Sequence, residues 1–159
     1  MRLKLLGALG MAVLLAACSG DNTDKGATTG TGAAAQSTGV TPGSEADLVA
    51  NVGDRVFFEL NKNNLSTEAQ ATLDRQAAWL AKYPQVTIQV AGNCDDRGTE
   101  EYNIALGERR ANAARDYLVA KGVAASRITT ISYGKDRPTA TGDDEQSWAQ
   151  NRNAITSVR

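Results

Sequence analysis

AGNCDDRGTEEYNIALGERRANAARDYL, residues Ala91–Leu118, joins a strand to a long helix. Just before it, Val86–Val90 alternates: Val86, Ile88 and Val90 point one way, Thr87 and Gln89 the other, the period of a half-buried strand. A helix is predicted from about Glu100 to Lys121, with Tyr102, Leu106, Arg109, Ala113 and Tyr117 as its stripe. Glu100 and Glu101 stand at its start, where the macrodipole favours acids, and Gly122 is a natural stop. Between strand and helix lies a polar, charged loop, Gly92–Thr99.

The same periodicities extend outward. Arg55–Leu60 is predicted as a first strand, with Val56 and Phe58 on one face and Phe57 on the other. A helix follows from Thr67, whose spacing to Gln70 suits a capping box. Its apolar face is Ala69, Leu73, Ala77 and Leu80, and Pro84 ends it. Ile128–Tyr133 is a third strand, Gln146–Gln150 a short helix and Ala154–Val158 a fourth strand. Strands alternating with helices predict an α+β domain over residues 45–159, of βαβαβ type, with a four-stranded mixed sheet packed on two main helices.

The N-terminal residues have a different character. Arg2 and Lys4 precede an uncharged apolar run, Leu5–Leu15, and small residues Ala16 and Ala17 precede Cys18. Met1–Ala17 is expected to be an export signal, too short for a permanent span of roughly 20 residues. Leu15–Cys18, LAAC, resembles a lipobox, which makes Cys18 the expected lipidation site. Ser19 after it implies the outer membrane, with the protein facing the periplasm. Two or three acyl chains anchor stably where one is marginal. Ser19–Ser44 is rich in Gly, Ala, Thr and Ser and has no aromatic residue, so a flexible tether is expected over 18–44. Such a coil has a root-mean-square span of roughly 30 Å and stretches to about 90 Å.

Composition excludes several functions. Of 17 Lys and Arg residues, Arg2 and Lys4 leave with the signal, so 15 face 18 acids and the mature net charge is −3. Nucleic acid and polybasic membrane binding both need the opposite balance. There is no histidine, so the usual general base and the commonest metal ligand are absent. No metal and no cofactor are expected. With Cys18 acylated, Cys94 is left alone, either a small buried filler or a reactive thiol.

The charged loop and helix hold the candidate chemistry. Arg offers a fork for a carboxylate and Asp accepts from an ammonium, so Asp95 and Arg110 together suit an amino-acid-like zwitterion. The same two residues also suit an internal salt bridge or a solvated face. Asp95 and Asp96 imitate a glycosidase carboxylate pair. However, neighbours in one loop are badly placed to flank a scissile bond, and no enzyme activity is expected.

Three blocks, DDRGTEEYNIALGERRANA, ISYGKDRP (Ile131–Pro138) and WAQNR (Trp148–Arg152), resemble the OmpA-like peptidoglycan-binding domain family. With the lipobox and tether, they are most similar to its lipid-anchored branch, which works in the Tol-Pal system. The resemblance covers about Val52–Val158. It implies a non-catalytic domain that binds the peptidoglycan stem peptide at its diaminopimelate and ties the outer membrane to the wall during cell division. It implies that Asp95 receives the diaminopimelate amine and Arg110 holds its carboxylate. Asn103, Leu106 and Thr99 line the groove, and Phe58 and Glu59 form its opposite wall. It implies TolB, a periplasmic β-propeller, and other Tol proteins as partners.

The chain departs from the family pattern at Ala91, Asn93 and Cys94, where glutamate, histidine and a small residue are usual. It departs again at Glu59 and Asn61 in the first strand's end and at Asn153 near the C-terminus. These changes motivate an alternative: a protein-interaction lipoprotein with weakened or lost wall binding.

Overall fold

The computed structural model describes residues 39–159. The expected export signal, Cys18 and the expected tether up to Thr38 lie outside the described residues. Along the chain come α1 (Glu45–Asp47), a π-helical turn (Leu48–Val52), β1 (Arg55–Phe57), α2 (Thr67–Lys82) and β2 (Ile88–Asn93). Then follow α3 (Glu100–Ala120), a 3-10 turn (Ala125–Arg127), β3 (Ile128–Gly134), α4 (Glu145–Asn151) and β4 (Asn153–Val158). The four strands form one mixed sheet in the order β1-β4-β2-β3. β2 and β3 are parallel, while β4 runs antiparallel to both β1 and β2. The α+β class, the mixed sheet and its two main helices match the expectation from sequence. Among the described residues no helix is long and apolar enough to cross a membrane.

The core lies between one face of the sheet and helices α2 and α3. Val56, Ile88, Val90, Ile128 and Ala154 point into it and meet Leu73, Leu80, Ala111, Ala114 and Leu118. Thr156 also points inward, and its hydroxyl donates to Gln76 Oε1 at 3.0 Å, satisfying a buried polar pair. Because side chains alternate along a strand, the odd-numbered residues of β2 and β4 face away from both helices.

The structure corrects three local expectations. The cap of α2 is Ser66, whose Oγ accepts from Ala69 N at 3.1 Å. Ser66 has the extended backbone that a cap needs, while Thr67 is already helical. The buried face of α3 is Asn103, Leu106, Gly107, Arg110, Ala111, Ala114 and Leu118, whereas Tyr102 and Arg109 are exposed. Large residues suggested the stripe, but Gly107, Ala111 and Ala114 are part of the buried face, and their small side chains let the helix lie close against the sheet. Finally, Thr41–Ser44 belongs to the fold. Ser44 caps α1, and Asp47 Oδ2 accepts from Gly43 N at 2.8 Å and from Trp79 Nε1 at 2.9 Å. Asn51 adds a hydrogen bond to Asp47 Oδ1, and together these contacts hold the Asp47 carboxyl below its ordinary pKa.

Glycines allow the close approach of α3. A Cβ on Gly92 of β2 would collide with the carbonyl of Gly107 of α3, and a Cβ on Gly107 would meet Ser132 Oγ. Ser132 in turn donates to Ile104 O at 2.7 Å, tying β3 to the same helix. This contact fixes where α3 begins, and so where the β2–α3 loop stands.

Candidate functional site

The β2–α3 loop brings Asp95 to the end of the sheet, beside the segment after β1 and the start of β4. Asp95 is 5% exposed. Its Oδ2 accepts from Arg97 Nη2 at 2.7 Å and from Arg152 Nη1 at 3.3 Å, and its Oδ1 from Arg97 N at 3.3 Å. Burial alone would raise its pKa, but the hydrogen bonds from Arg97 and Arg152 outweigh it and leave the carboxyl below its ordinary value. A glycosidase general acid needs the opposite shift, so Asp95 does not suit that one role.

Asp95 therefore stabilises the fold fully above its ordinary pKa, and that contribution fades as pH falls through the depressed value. Between pH 7 and 5 the gap in urea midpoint between the parent and Asp95→Asn is expected to stay constant. Below about pH 4 it should narrow. A gap that persists to pH 2 would mean that the ion pairs contribute nothing.

Arg152 joins three parts of the site. Its Nε donates to Phe58 O at 3.1 Å, while Phe58 N donates back to Arg152 O at 2.8 Å. Its Nη2 meets Glu145 Oε1 at 2.7 Å. Arg97 is the outermost of these cations, 36% exposed along its side chain, with its guanidinium 4.1 Å from the centre of the Trp148 ring. Arg97 Nε and Trp148 Nε1 are buried donors that find no acceptor among the described residues. Two recesses open on either side. Phe57, Phe58, Glu59, Asn64, Ser66 and Arg152 line one of about 270 Å³. Leu60, Asn61, Arg97, Gly98 and Tyr102 line the other, of about 300 Å³.

Arg110, the residue expected to hold the carboxylate, lies on the buried face of α3. It is 0% exposed. Its Nε donates to Lys62 O at 2.9 Å, its Nη2 to Glu59 O at 3.1 Å and its Nη1 to Asn93 O at 2.8 Å and Cys94 Sγ at 3.4 Å. The guanidinium also lies 5.2 Å from the Phe58 ring centre, and burial pulls its pKa below the ordinary value. Among the described residues no ion pair joins it to Asp95, whose partners are Arg97 and Arg152. Arg110 bolts the 59–62 loop to the end of β2.

The other expected groove residues divide between wall and support. Asn103 is buried, and its Nδ2 donates to Arg97 O at 2.8 Å and Thr99 O at 3.0 Å, holding the loop in shape. Thr99 caps α3 by accepting from Tyr102 N at 3.2 Å, and Leu106 is buried beneath the loop. Phe58 is buried under Arg110, while Glu59 is exposed and ion-paired with Lys62. Asn61 has φ of 57°, a left-handed conformation that asparagine tolerates better than most residues.

Two departures from the family pattern complement each other. Asn93 Nδ2 donates to Asn153 Oδ1 at 2.8 Å, across 60 positions of sequence. Cys94 is free and buried, with its thiol donating to Asn103 O at 3.3 Å. Burial pushes its pKa up despite the pull of Arg110. The filler reading holds here, and a measurement follows. An aromatic disulfide reagent should modify Cys94 at least ~100-fold faster in denaturant than in the native domain. Comparable rates would show a reactive thiol.

Arg97, Trp148 and Glu145 did not stand out as site residues in the sequence. Arg97 carried a local signal, two positions beyond Asp95 in the same loop. Arg152 stood in the WAQNR block of the family resemblance, but nothing local tied it to Asp95, 57 residues away.

Comparisons with known proteins bear on the family and the fold. The pattern of the OmpA family matches residues 57–152. The peptidoglycan-associated lipoprotein of Rhizobium meliloti is 52% identical over 153 residues, covering 94% of this chain and 84% of that protein. That of Haemophilus influenzae is 42% identical over 152 residues, covering 96% and 95%. The crystal structure of the peptidoglycan-associated lipoprotein from Burkholderia pseudomallei superposes with a TM-score of 0.65 at 42% identity, covering 67% of this chain and 90% of that one. On the family pattern, this identity along nearly the whole length and the shared fold, the chain belongs to the OmpA family and, within it, to the peptidoglycan-associated lipoproteins.

Proposed function

We propose that the protein is a non-catalytic tether: Cys18 carries lipid in the outer membrane, and the domain binds the peptidoglycan stem peptide at Asp95. The observation that carries this reading is the state of Asp95. It is a buried carboxylate between two surface recesses, held by one buried and one half-exposed arginine, with two unsatisfied donors beside it.

Diaminopimelate presents an ammonium and a carboxylate on one carbon. Its ammonium replaces Arg97 on Asp95 Oδ2, and the freed Arg97, braced on Trp148, takes the carboxylate. Arg110 supports this exchange from below by holding the loop carbonyls. This assigns the carboxylate-binding role to Arg97 in place of Arg110, because Arg110 has no surface to offer. Asn93 bonds Asn153 without touching Asp95, and Asp95 keeps its two arginine partners, which supports retained binding. From the family resemblance we take TolB and other Tol proteins as partners, and envelope integrity and cell division as the processes served.

The test is co-sedimentation of the soluble domain, begun at Gly39, with purified diaminopimelate-type sacculi. Asp95→Asn should weaken binding by ~100-fold and Arg97→Ala by ~10-fold, both with cooperative melting retained. If Asp95→Asn sediments like the parent, the site lies elsewhere. A folded parent domain that stays in solution would move the function to protein partners.

A further inference from the structure

The outer face of the sheet, opposite α2 and α3, carries a groove of about 370 Å³ that the wall-binding site does not use. It runs along β2. Ala91 and Ile155 form an apolar floor, and Gln89 and Ser157 add an amide and a hydroxyl. At one end, next to Asn93, the Arg137 guanidinium lies 3.7 Å from the centre of the Tyr133 ring. At the other end is Arg159, whose N–H pairs with Thr87 O at 2.9 Å and whose carbonyl-side oxygen accepts from the Thr87 hydroxyl at 3.4 Å.

These two arginines differ from others in the domain. Arg75, Arg110, Arg127 and Arg152 all donate to backbone carbonyls and act as braces. Among the described residues, the guanidinium groups of Arg137 and Arg159 have neither an ion-pair partner nor a hydrogen bond. A chain with more acids than bases thus keeps two guanidinium groups without ion-pair partners, Arg137 stacked on Tyr133 and Arg159, at the two ends of one groove. Gln89 to Asn93 is four residues of strand, about 13 Å at roughly 3.3 Å per residue.

We propose that this groove docks an extended acidic segment of a partner protein, with carboxylates four residues apart and a small apolar side chain between them. In an extended chain, residues i, i+2 and i+4 share a face, so two acids at i and i+4 reach Arg137 and Arg159 while residue i+2 lies on Ala91 and Ile155. Gln89 and Ser157 then hydrogen-bond the segment's backbone. A lipid surface fits less well, because the floor is concave and lined with amide and hydroxyl groups.

The experiment uses the full chain and a fluorescent peptide with two glutamates four residues apart around a central valine, followed by anisotropy. Control peptides place the glutamates adjacent or replace both with glutamine. The spaced peptide should bind ~10-fold more tightly than either control, and Arg137→Ala and Arg159→Ala should each weaken it ~10-fold. Both side chains are surface groups without hydrogen bonds in the fold, so the variants keep their melting temperature. Absence of binding by the parent overturns the proposal. So does equal binding by the double variant, or arginine-dependent capture by phosphatidylglycerol vesicles with no response to the peptide.

Discussion

Arg110→Ala is expected to lower the unfolding free energy of the domain by about 3–5 kcal/mol. The carbonyls of Glu59, Lys62 and Asn93 would lose their donor inside the protein, where each unsatisfied group costs roughly 1–3 kcal/mol. The side chain also fills space against Phe58, and removing it leaves a cavity. Arg110→Lys should recover little, because one ammonium cannot reach three carbonyls in a planar fork. Urea unfolding of the soluble domain measures both. If Arg110→Ala stays within about 1 kcal/mol of the parent yet loses sacculus binding, the guanidinium serves the ligand and its bracing role is wrong. Sacculus binding should fall with stability in this variant, because the 59–62 loop is no longer held to the end of β2.

Gly92→Ala is expected to be comparably severe. The added methyl would overlap the Gly107 carbonyl, a backbone atom that cannot rotate away. Overpacking against side chains typically costs 1–3 kcal/mol, and here α3 as a whole must shift, so about 3 kcal/mol or more is expected. Because α3 leads directly from the β2–α3 loop, the shift should also disturb Asp95. Thermal melting of Gly92→Ala beside Ala91→Gly, which touches only the outer face, makes the comparison. Equal melting temperatures for Gly92→Ala and the parent would show that the sheet and α3 are less tightly apposed.

The elements were legible wherever a single face is wet. Ile88 and Val90 alternate with Gln89 because β2 packs on one side only, and Ala69, Leu73, Ala77 and Leu80 repeat because α2 lies on the surface of the core. The buried face of α3 was misjudged for a physical reason. Its inward positions include Gly107, Ala111 and Ala114, and apolar bulk is a poor guide where a helix is pressed close to a sheet.

The site divides along the same line. Asp95, the family motif around it and the cap at Thr99 are local properties, determined by the order of residues within one loop and its helix. Which cation meets Asp95 is not local. Arg97, Arg110 and Arg152 all lie within reach of the loop in sequence or in space, and only packing sorts them. Arg110 points inward from α3 and is consumed by carbonyls from two loops. Arg152 arrives at the end of α4, just before β4, 57 residues away. Arg97 stays at the surface on Trp148. The chain alone therefore determined a charged loop carrying Asp95 and, following it, a helix carrying Arg110. The tertiary structure decided which of the arginines brace the fold from inside and which stays half-exposed beside the carboxylate, because burial and hydrogen-bond partners depend on how distant strands are brought into register.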